Sequence, residues 1–410
     1  MNPLTEPQSK ASVNLHDYRR AFLYKDLRSL RFTSFVFAML QKPWLVKALT
    51  GLSGWAIRTG MPVTALMRNT IFPVFCAGET ISQALATIDR LERYNVGAVL
   101  DYVSEAECTP EAFKRNSRII ADNIRTLAEK NPGSSVSVKL TGLESPDFLS
   151  RINLADTDSL NVADRRRYDD FIDRVDTICF AGARHGITVY IDAEDRCMQD
   201  LFDRTVEMMM ARYNRGTAIV YNTVQMYLRD RLEYLQRVIA ESSLAGYYPG
   251  LKLVRGAYVE KERERAASKG IQCPVHDSKT ATDKSFDAGL GLCLSNSDRV
   301  FTCVASHNER STLLAVQLID VHGIGDHYRK VKFSQLYGMS DNITFNLAAR
   351  GYNASKYLPY GEVKKAIPYL IRRAEENSSI SGQLPKELIC LRSEIARRKR
   401  QQNSVISDRS

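Results

Sequence analysis

The sequence predicts an α/β protein: a (β/α)8 barrel of the TIM type, preceded by an N-terminal helical arm. From about residue 95 onward, short apolar and β-branched runs alternate with longer stretches of helical spacing. Eight such runs fit within roughly 280 residues, which is the size and strand count of this barrel. Most of the runs are almost continuously apolar, as strands buried on both faces must be.

The eight runs define the predicted strands. They are Gly97–Tyr102, Ser135–Leu140, Ile187–Asp192, Ala218–Asn222, Gly250–Val254, Arg299–Ala305, Val331–Gln335 and Ala354–Tyr357. Helical spacing between them is clearest at Tyr168–Ala183 and at Val224–Ser242. A doubly wound sheet is the alternative architecture. It would need a switch point and usually fewer strands, and no G-x-G-x-x-G motif follows any of the runs.

The segments on either side of the barrel differ from it in composition. Residues 1–90 predict a mostly helical arm, which Pro62 and Pro73 interrupt. Residues 91–380 predict the barrel domain. Residues 381–410 predict a basic C-terminal tail, in which Arg397–Arg400 is expected to be solvated or frayed.

The composition is that of a globular protein with a moderate basic excess. Of 410 residues, 44% are hydrophobic and 25% charged, and the net charge is +10. The excess indicates either a simple basic surface or attraction to an anionic partner, such as a phosphorylated cofactor or an acidic membrane. Without a nucleic-acid-binding motif, nucleic acid is not an expected partner. The cysteines include no C-x-x-C pair, so no metal site and a reducing compartment are expected.

Targeting segments are not expected from the sequence. The first thirty residues mix acidic and basic side chains, unlike a signal or transit peptide. The apolar stretch Thr33–Cys76 is interrupted by Lys42, Lys47, Arg58 and Arg68, and no charge-free interval approaches the ~20 residues that span a bilayer. We therefore expect a cytoplasmic location, or a peripheral one on the inner face of a respiratory membrane.

Polar residues stand in or just beyond the otherwise apolar strands. Singly, each is more often structural, because strand ends meet solvent. Reactive groups of β/α barrels sit at the C-terminal ends of strands, so together these residues would line one mouth. The set is Asp101, Lys139, Asp192, Glu194, Gln225, Lys252, Arg255, Ser306, His307, Asn308, Gln335 and Tyr357.

The last β/α unit carries a pair of arginines. Helical spacing puts Arg372 and Arg373 within one turn of Glu375 and Glu376. One interpretation is an exposed helix with ion pairs worth ~0.3–0.5 kcal/mol each. The other is a clamp for a small carboxylate ligand, because the pair shares its helix with Tyr369 and the guanidinium offers a planar bidentate fork.

Several motifs resemble one known family. Tyr357-x-Pro-Tyr-Gly, followed by Pro368-Tyr-Leu-x-Arg-Arg-x-x-Glu-Asn377, closely resembles the last β/α unit of the proline dehydrogenases. Further stretches similar to that family, in the same order, are Phe75-Cys-Ala-Gly-Glu-Thr80, Ser137-Val-Lys-Leu-Thr-Gly-Leu143, Ile191-Asp-Ala-Glu194, Leu251-Lys-Leu-Val-Arg-Gly-Ala-Tyr258, Val304-Ala-Ser-His-Asn308 and Gln335-Leu-Tyr-Gly-Met339. The resemblance implies a β/α barrel with a helical arm, FAD as cofactor, and L-proline oxidised to Δ1-pyrroline-5-carboxylate as the first step of proline catabolism.

The resemblance also implies roles for individual residues. Arg372 and Arg373 would bind the proline carboxylate, and Glu376 would orient them. Lys139 would lie near substrate and flavin, with Asp192 as its carboxylate partner. The remaining substrate contacts would be Tyr258, Leu336 and Tyr357, and the catalytic set would be Asp192, Lys252 and Lys139. Flavin contacts would come from Asp192, Glu194, Gln225, Lys252, Arg255, Gly256, Ala257, Ser306 and His307, with Lys279 toward the phosphates.

Two positions refine the resemblance. Many bacterial members carry Arg where this chain has Lys252, which indicates the monofunctional, eukaryotic-type branch. A lysine there can donate one hydrogen bond toward flavin N5 but lacks the fork geometry. Hydroxyproline-preferring relatives tend to have a smaller residue at the position of Tyr357, so its bulk favours proline. The family passes its electrons to a membrane quinone, so a quinone and a peripheral membrane contact are the expected partners.

Three other interpretations stay open at the level of sequence. The first is a different flavin-dependent barrel, similar to methylenetetrahydrofolate reductase. The second is a protein that binds nucleic acid or a membrane surface through its basic excess. The third is a degenerate, inactive barrel.

Overall fold

The computed structural model of the protein describes residues 13–42, 63–103, 108–155, 157–379 and 383–407, with the backbone alone at residues 63, 374–379, 383–384 and 405–407. Eight parallel strands close into a barrel in chain order, β1 to β8, and β8 pairs back with β1. They are β1 Gly97–Tyr102, β2 Ser135–Lys139, β3 Thr188–Asp192, β4 Val220–Gln225, β5 Gly250–Val254, β6 Phe301–Ala305, β7 Val331–Leu336 and β8 Asn353–Tyr360. The predicted fold class is confirmed.

The largest departure from the predicted boundaries is at β4. Val224 and Gln225 belong to this strand, opposite Leu253 and Val254 of β5, and the following helix begins only at Arg231. The prediction of a helix from Val224 is therefore wrong. The polar residues in this part of the chain hid the strand signal, although all six residues of β4 are buried.

Helices surround the strands and extend beyond them at both ends. Before the barrel lie Tyr18–Ala21, Leu27–Leu40, Val63–Asn69, Phe72–Phe75 and Ile81–Glu92. Around it lie Pro110–Lys130, Leu140–Gly142, Pro146–Ile152, Thr157–Ser159, Val162–His185, Arg196–Tyr213, Arg231–Ala245, Val259–Lys269, Lys279–Ser295, Glu309–Val321, His327–Lys330, Asp341–Ala348 and Val363–Ser379. The C-terminal helix is Gln383–Ser407.

Capping residues define where several of these helices begin. Thr109, Ser145, Asn161 and Asn308 each accept, through a side-chain oxygen, a hydrogen bond from a backbone N–H three residues later. Proline follows Thr109 and Ser145 directly, at a position where its missing N–H costs nothing. These caps fix the points at which the chain leaves the barrel mouth.

The C-terminal helix packs on the N-terminal arm. Phe37, Phe75, Ile367, Leu388 and Leu391 belong to one buried apolar cluster that joins the arm, the last barrel helix and the C-terminal helix. Of the predicted arm, residues 1–12 and 43–62 lie outside the described part of the chain. Among the described helices, none has both the length and the apolar character that a bilayer crossing requires.

The basic segment Arg397–Arg400 belongs to this helix. Glu394 accepts hydrogen bonds from Arg397 and Arg398, and Arg398 also donates to the backbone carbonyl oxygens of Phe22 and Lys25. The segment is helical and not frayed, and Arg397 and Arg398 help to dock the helix, whereas Lys399 and Arg400 are exposed to solvent as expected.

A buried ion triad ties the arm to the barrel. Lys25 Nζ lies 3.0 Å from Asp341 Oδ2, and Lys356 Nζ lies 2.8 Å from Asp341 Oδ1. Tyr24 donates a further hydrogen bond of 2.8 Å to Asp341 Oδ2. Burial alone would raise the pKa of Asp341, but Lys25 and Lys356 lower it to about 2. Asp341 is therefore ionised in the folded protein.

Candidate active site

The alternation of side chains along each strand places charged groups inside the mouth of the barrel. In every strand, alternate residues face the interior, and the last inward-facing positions lie at the C-terminal end. Asp101 on β1, Lys139 on β2, Asp192 on β3, Lys252 on β5 and Tyr357 on β8 occupy these positions or the one before them. Four other barrel residues beneath them, Val99, Tyr190, Tyr221 and Cys303, form a buried layer with Tyr357.

Asp192 lies at the centre of the mouth. Lys252 Nζ donates to its Oδ1 at 2.7 Å, and the Tyr357 hydroxyl donates to its Oδ2 at 2.7 Å. Lys139 Nζ lies 3.9 Å from Asp192 Oδ2 but only 2.9 Å from Asp101 Oδ2, and it also donates to the Tyr357 hydroxyl at 3.2 Å. Lys139 thus pairs more closely with Asp101 than with its expected partner Asp192.

The protonation states of this cluster follow from its charges. Burial would raise the pKa of Asp192, but Lys252 and Lys139 hold it below its ordinary value. Burial, followed by the charges of Asp101 and Asp192, raises the pKa of Tyr357 well above its usual range. At neutral pH Asp192 is therefore a carboxylate and Tyr357 a neutral phenol.

A second group of residues holds the loops after β2 and β3. The Glu194 carboxylate accepts hydrogen bonds from the backbone N–H and the hydroxyl of Thr141, at 3.1 and 2.5 Å. Gln225 donates to the backbone carbonyl oxygen of Glu194 at 2.7 Å. Glu194 and Gln225, expected to contact the flavin, are thus buried beside each other at this rim.

A cationic cluster forms the rim at the ends of β5 and β6. Arg255 donates to Asp283 at 2.6 Å, to Ser306 at 2.8 Å and to Ser311 at 2.9 Å. Lys279 donates to the other oxygen of Asp283 at 2.6 Å. The structure therefore brings together three of the expected cofactor-binding residues: Asp283, which the sequence reasoning did not single out, joins Arg255 to Lys279, and Arg255 in turn bonds Ser306.

The turn after β5 allows its backbone to lie close to an aromatic ring. Gly256 has a φ of +123°, and a Cβ at this residue would lie 2.1 Å from the Tyr227 ring. Ala257, the next residue, is exposed, and Tyr258 is half-buried. Ala257 therefore presents its side chain at the rim, where a cofactor-binding residue was predicted.

The arginine pair lies on the last barrel helix, Val363–Ser379, with both side chains half-buried. Arg373 lies over the ring of Tyr369, at 5.4 Å from its centroid. Burial, then the charges of Lys356, Arg373 and Arg255, lowers the pKa of His307 to about 3. The charge of Arg373 therefore acts on His307, the second residue after β6. The side chain of Glu376 lies outside the described part of the chain.

Sequence reasoning missed a lysine deeper in the barrel. Lys332 on β7 donates to the Thr188 hydroxyl at 2.7 Å, and its ammonium lies 5.3 Å from the centroid of the Tyr221 ring. Burial lowers its pKa to about 8. The alternation within β7 was the available signal, since Lys332 shares its face with Leu336.

Comparison with known proteins identifies the family. A sequence model of the family described as proline dehydrogenase matches residues 84–386. The chain belongs to the proline dehydrogenase family. The predicted family is thereby confirmed. The chain groups with these oxidoreductases and not with proteins similar to methylenetetrahydrofolate reductase.

The relatives include several eukaryotic proline dehydrogenases. Proline dehydrogenase 1, mitochondrial, of Dictyostelium discoideum is 31% identical over 380 residues, which are 82% of this chain and 66% of that protein. The carbapenem antibiotics biosynthesis protein CarD of Pectobacterium carotovorum is 30% identical over 325 residues, 79% of this chain and 84% of CarD. The chain spans only 35% of a third relative, proline dehydrogenase 1, mitochondrial, of Drosophila melanogaster.

Among solved structures, proline utilization A of Bdellovibrio bacteriovorus, inactivated by N-propargylglycine, aligns with a TM-score of 0.69. The alignment covers 92% of this chain and 40% of that protein at 21% identity, so the likeness concerns the fold.

The expected cytoplasmic location is wrong. The relatives from Dictyostelium, Drosophila and Arabidopsis are named mitochondrial proline dehydrogenases. The mixed charge of the first thirty residues, on which the expectation depended, describes only those residues and does not determine a compartment.

Proposed function

We propose that this protein oxidises L-proline to Δ1-pyrroline-5-carboxylate, with FAD as its cofactor and a quinone as the electron acceptor. The observation that carries the proposal is the buried cluster of Lys139, Asp101, Asp192, Lys252 and Tyr357 at the barrel mouth. Such a cluster offers cations for a carboxylate and a fixed aromatic wall for a small ring.

The residues at the rim fit a flavin dinucleotide. Arg255 and Lys279 are joined through Asp283, so two cations lie side by side where a pyrophosphate would bind. Among the described residues, the hydroxyl of Tyr227 and Nε2 of His276 are buried without a hydrogen-bond partner beside this rim. When bound there, the flavin would supply the acceptor for a hydride from C5 of proline, to its N5.

The cofactor would be held by residues on four sides of the mouth. Lys252 and Asp192 would face the isoalloxazine, and Arg255, Lys279 and Ser306 the phosphates. Glu194 and Gln225 would line the side of the mouth formed by β2, β3 and β4. Gly256 and Ala257 would let the flavin lie close to the backbone, and His307 would contact the flavin from the end of β6.

Proline would bind as a zwitterion, and its ammonium group must release one proton to solvent before the hydride leaves C5. Each part of the substrate would meet a different group. Arg372, Arg373 and Lys139 would hold its carboxylate with charge-assisted hydrogen bonds, each worth roughly 1.5–3 kcal/mol when shielded from water. Leu336 and Tyr258 would exclude water around the ring. Catalysis is then mainly orientation, which requires a near-attack distance of about 3–3.5 Å at C5.

Asp192 would act by orientation and not as the base. Its pKa is lowered by Lys252 and Lys139, so it is a weak proton acceptor. Its two oxygens instead hold the Lys252 ammonium and the Tyr357 hydroxyl in place.

The proposal is tested by the absorbance spectrum of the purified protein before and after anaerobic addition of proline. Flavin bands that bleach with proline but not with NADH are expected, and a soluble quinone should restore them. Colourless protein, or flavin that responds to NADH alone, would refute the proposal.

A further inference from the structure

The C-terminal helix inserts one carboxylate into the wall of the mouth. Glu387 is 5% exposed. Its Oε1 accepts hydrogen bonds from the backbone N–H of Ser340 at 2.7 Å and from the Ser340 hydroxyl at 3.1 Å. Ser340 Oγ lies 2.8 Å from Nδ1 of His307. Three residues from separate parts of the chain therefore form one continuous hydrogen-bonded relay that ends at the mouth.

The direction of each hydrogen bond fixes the position of each proton in the relay. The backbone N–H of Leu336 points at Nε2 of His307 from 3.5 Å, so Nε2 carries a lone pair and the ring proton is on Nδ1. Nδ1–H then donates to Ser340 Oγ, and the Ser340 hydroxyl gives its own proton to Glu387. A carboxylate suits the end of this relay, because it accepts from both donors of Ser340 and donates nothing.

Burial, with the neighbouring positive charges, keeps the imidazole of His307 neutral. Burial, then Lys356, Arg373 and Arg255, lowers the pKa of His307 to about 3. A protonated ring would carry a hydrogen on Nε2, directed at the N–H of Leu336. The neutral Nδ1–H form is therefore the one that fits the contacts on both sides of the ring.

The relay also holds a strained turn. Ser340 has φ 49° and ψ 43°, a left-handed conformation that residues other than glycine rarely adopt. Gly338, two residues earlier, has a φ of +81°, and a Cβ there would lie 2.1 Å from the carbonyl oxygen of Val74 in the arm. The turn after β7 is thus fixed by the arm on one side and by Glu387 on the other.

We propose that Glu387 is a positioning residue of the active site, which acts through Ser340 to hold His307 as the neutral Nδ1–H tautomer and Leu336 in place against the substrate. The inference rests on the proposed function, because proline is what Leu336 would contact and the flavin is what His307 would contact. Glu387 lies one residue beyond the stretch 84–386 that matches the family model. The C-terminal helix then contributes to the site as well as to the docking of the arm.

Two variants of the flavin-loaded protein test the relay directly. In Glu387→Leu, both donors of Ser340 lose their acceptor, so the hydroxyl can turn its proton toward Nδ1, which moves the ring proton to Nε2. Ser340→Ala removes the acceptor of Nδ1–H and leaves Glu387 intact. The chain has six histidines, so ¹⁵N spectra of histidine-labelled protein are tractable, and His307→Asn identifies the signals of His307. Both variants should shift His307 away from the Nδ1–H pattern.

Glu394→Leu is the matched control. Glu394 lies seven residues further along the same helix, is 1% exposed and pairs with Arg397 and Arg398. Its loss weakens the docking of the helix without touching Ser340. We expect the KM for proline to rise about 10-fold in Glu387→Leu, through displacement of Leu336, and to stay unchanged in Glu394→Leu.

The possible results distinguish a failure of the proposed relay from a failure of the proposed function. An unchanged His307 tautomer in both Glu387→Leu and Ser340→Ala overturns the inference. An equal rise of KM in Glu387→Leu and Glu394→Leu also overturns it, because docking of the helix alone would then explain both. A shifted tautomer in a protein that proline does not reduce supports the relay and refutes the proposed function instead.

Discussion

Tyr357 makes two separate contributions to the mouth, one with its hydroxyl and one with its ring. The hydroxyl donates to Asp192, while the ring lies under two cations, with Lys252 at 5.2 Å and Lys139 at 5.8 Å from its centroid. The side chain is almost fully buried. The ring is therefore held rigidly, and a substrate must fit the space that it leaves.

Substitution of Tyr357 tests how the protein selects its substrate. In Tyr357→Ser, the ratio of kcat/KM for proline to that for 4-hydroxyproline should fall about 10-fold or more, because the space above C4 opens. One relative is a hydroxyproline dehydrogenase from Xenopus laevis, 29% identical over 365 residues. Steady-state kinetics with both amino acids measure the ratio.

Tyr357→Phe is the control for this experiment. It keeps the ring and removes the hydroxyl that donates to Asp192. The ratio should remain close to that of the parent protein even if both rates fall. A ratio that does not change in Tyr357→Ser would remove the argument that bulk at this position favours proline.

The arginine pair is tested in the same assay. Arg372→Ala or Arg373→Ala should raise the KM for proline by roughly 100-fold, since each would remove one of the charge-assisted hydrogen bonds that we propose to the carboxylate. Both proteins should remain flavin-loaded and yellow. Arg212→Ala serves as control, because it breaks an exposed pair with Asp176 on a barrel helix. Normal turnover by either variant of the pair would contradict the carboxylate clamp.

At the scale of the elements, the arm and the C-terminal helix meet behind β7 and β8. Lys25 from the arm reaches Asp341, and Glu387 from the C-terminal helix reaches the neighbouring Ser340. Lys356, next to Tyr357 on β8, completes the triad with Asp341. The N-terminal arm and the C-terminal helix therefore hold in place the turn after β7 and Lys356 on β8, next to the mouth of the barrel.

The triad predicts a specific pH dependence of stability. The pKa of Asp341 is about 2 in the folded protein and 3.8 ordinarily, so its lowered value contributes about 2–3 kcal/mol at neutral pH. A lowered pKa stabilises the fold above the ordinary value and stops doing so as the pH falls toward 2. The stability advantage of the parent protein over Asp341→Asn should therefore be constant above about pH 5 and decline below about pH 4.

Urea unfolding from pH 7 to pH 3 measures this advantage, with the exposed Asp158→Asn as a control. Asp158 is 89% exposed, so its substitution should leave the unfolding free energy almost unchanged. An advantage that is independent of pH would show that Asp341 contributes through packing alone.

At the scale of the whole molecule, the sequence was sufficient for the barrel and for most of the mouth. Apolar runs locate strands, and strand ends locate the mouth, so Lys139, Asp192, Lys252 and Tyr357 were found without coordinates. Their partners within the mouth were not all found. Lys139 pairs with Asp101 because β1 and β2 are neighbouring strands, aligned so that Asp101 lies opposite Ser137. The sequence pattern of a single strand does not show how that strand is aligned with its neighbour.

Contacts between distant parts of the chain could not be predicted from periodicity. Lys25 and Asp341 are separated by 316 positions, and Glu387 and Ser340 belong to segments whose own patterns indicate only a helix and a turn. Charges in the C-terminal helix looked solvated for the same reason. A pattern of charges along a helix shows which residues share a face but not which surface that face meets.

The pairing of β8 with β1 has a consequence for how the protein is made. The two strands share six residue pairs, from Gly97 with Ser355 to Tyr102 with Tyr360. Until Tyr360 has emerged from the ribosome, the strands already synthesised can form only an open sheet with unpaired edges. Unpaired strand edges promote aggregation with neighbouring polypeptides. Closure of the barrel therefore waits for the last of its eight strands, and the open sheet that precedes closure is the intermediate most exposed to aggregation.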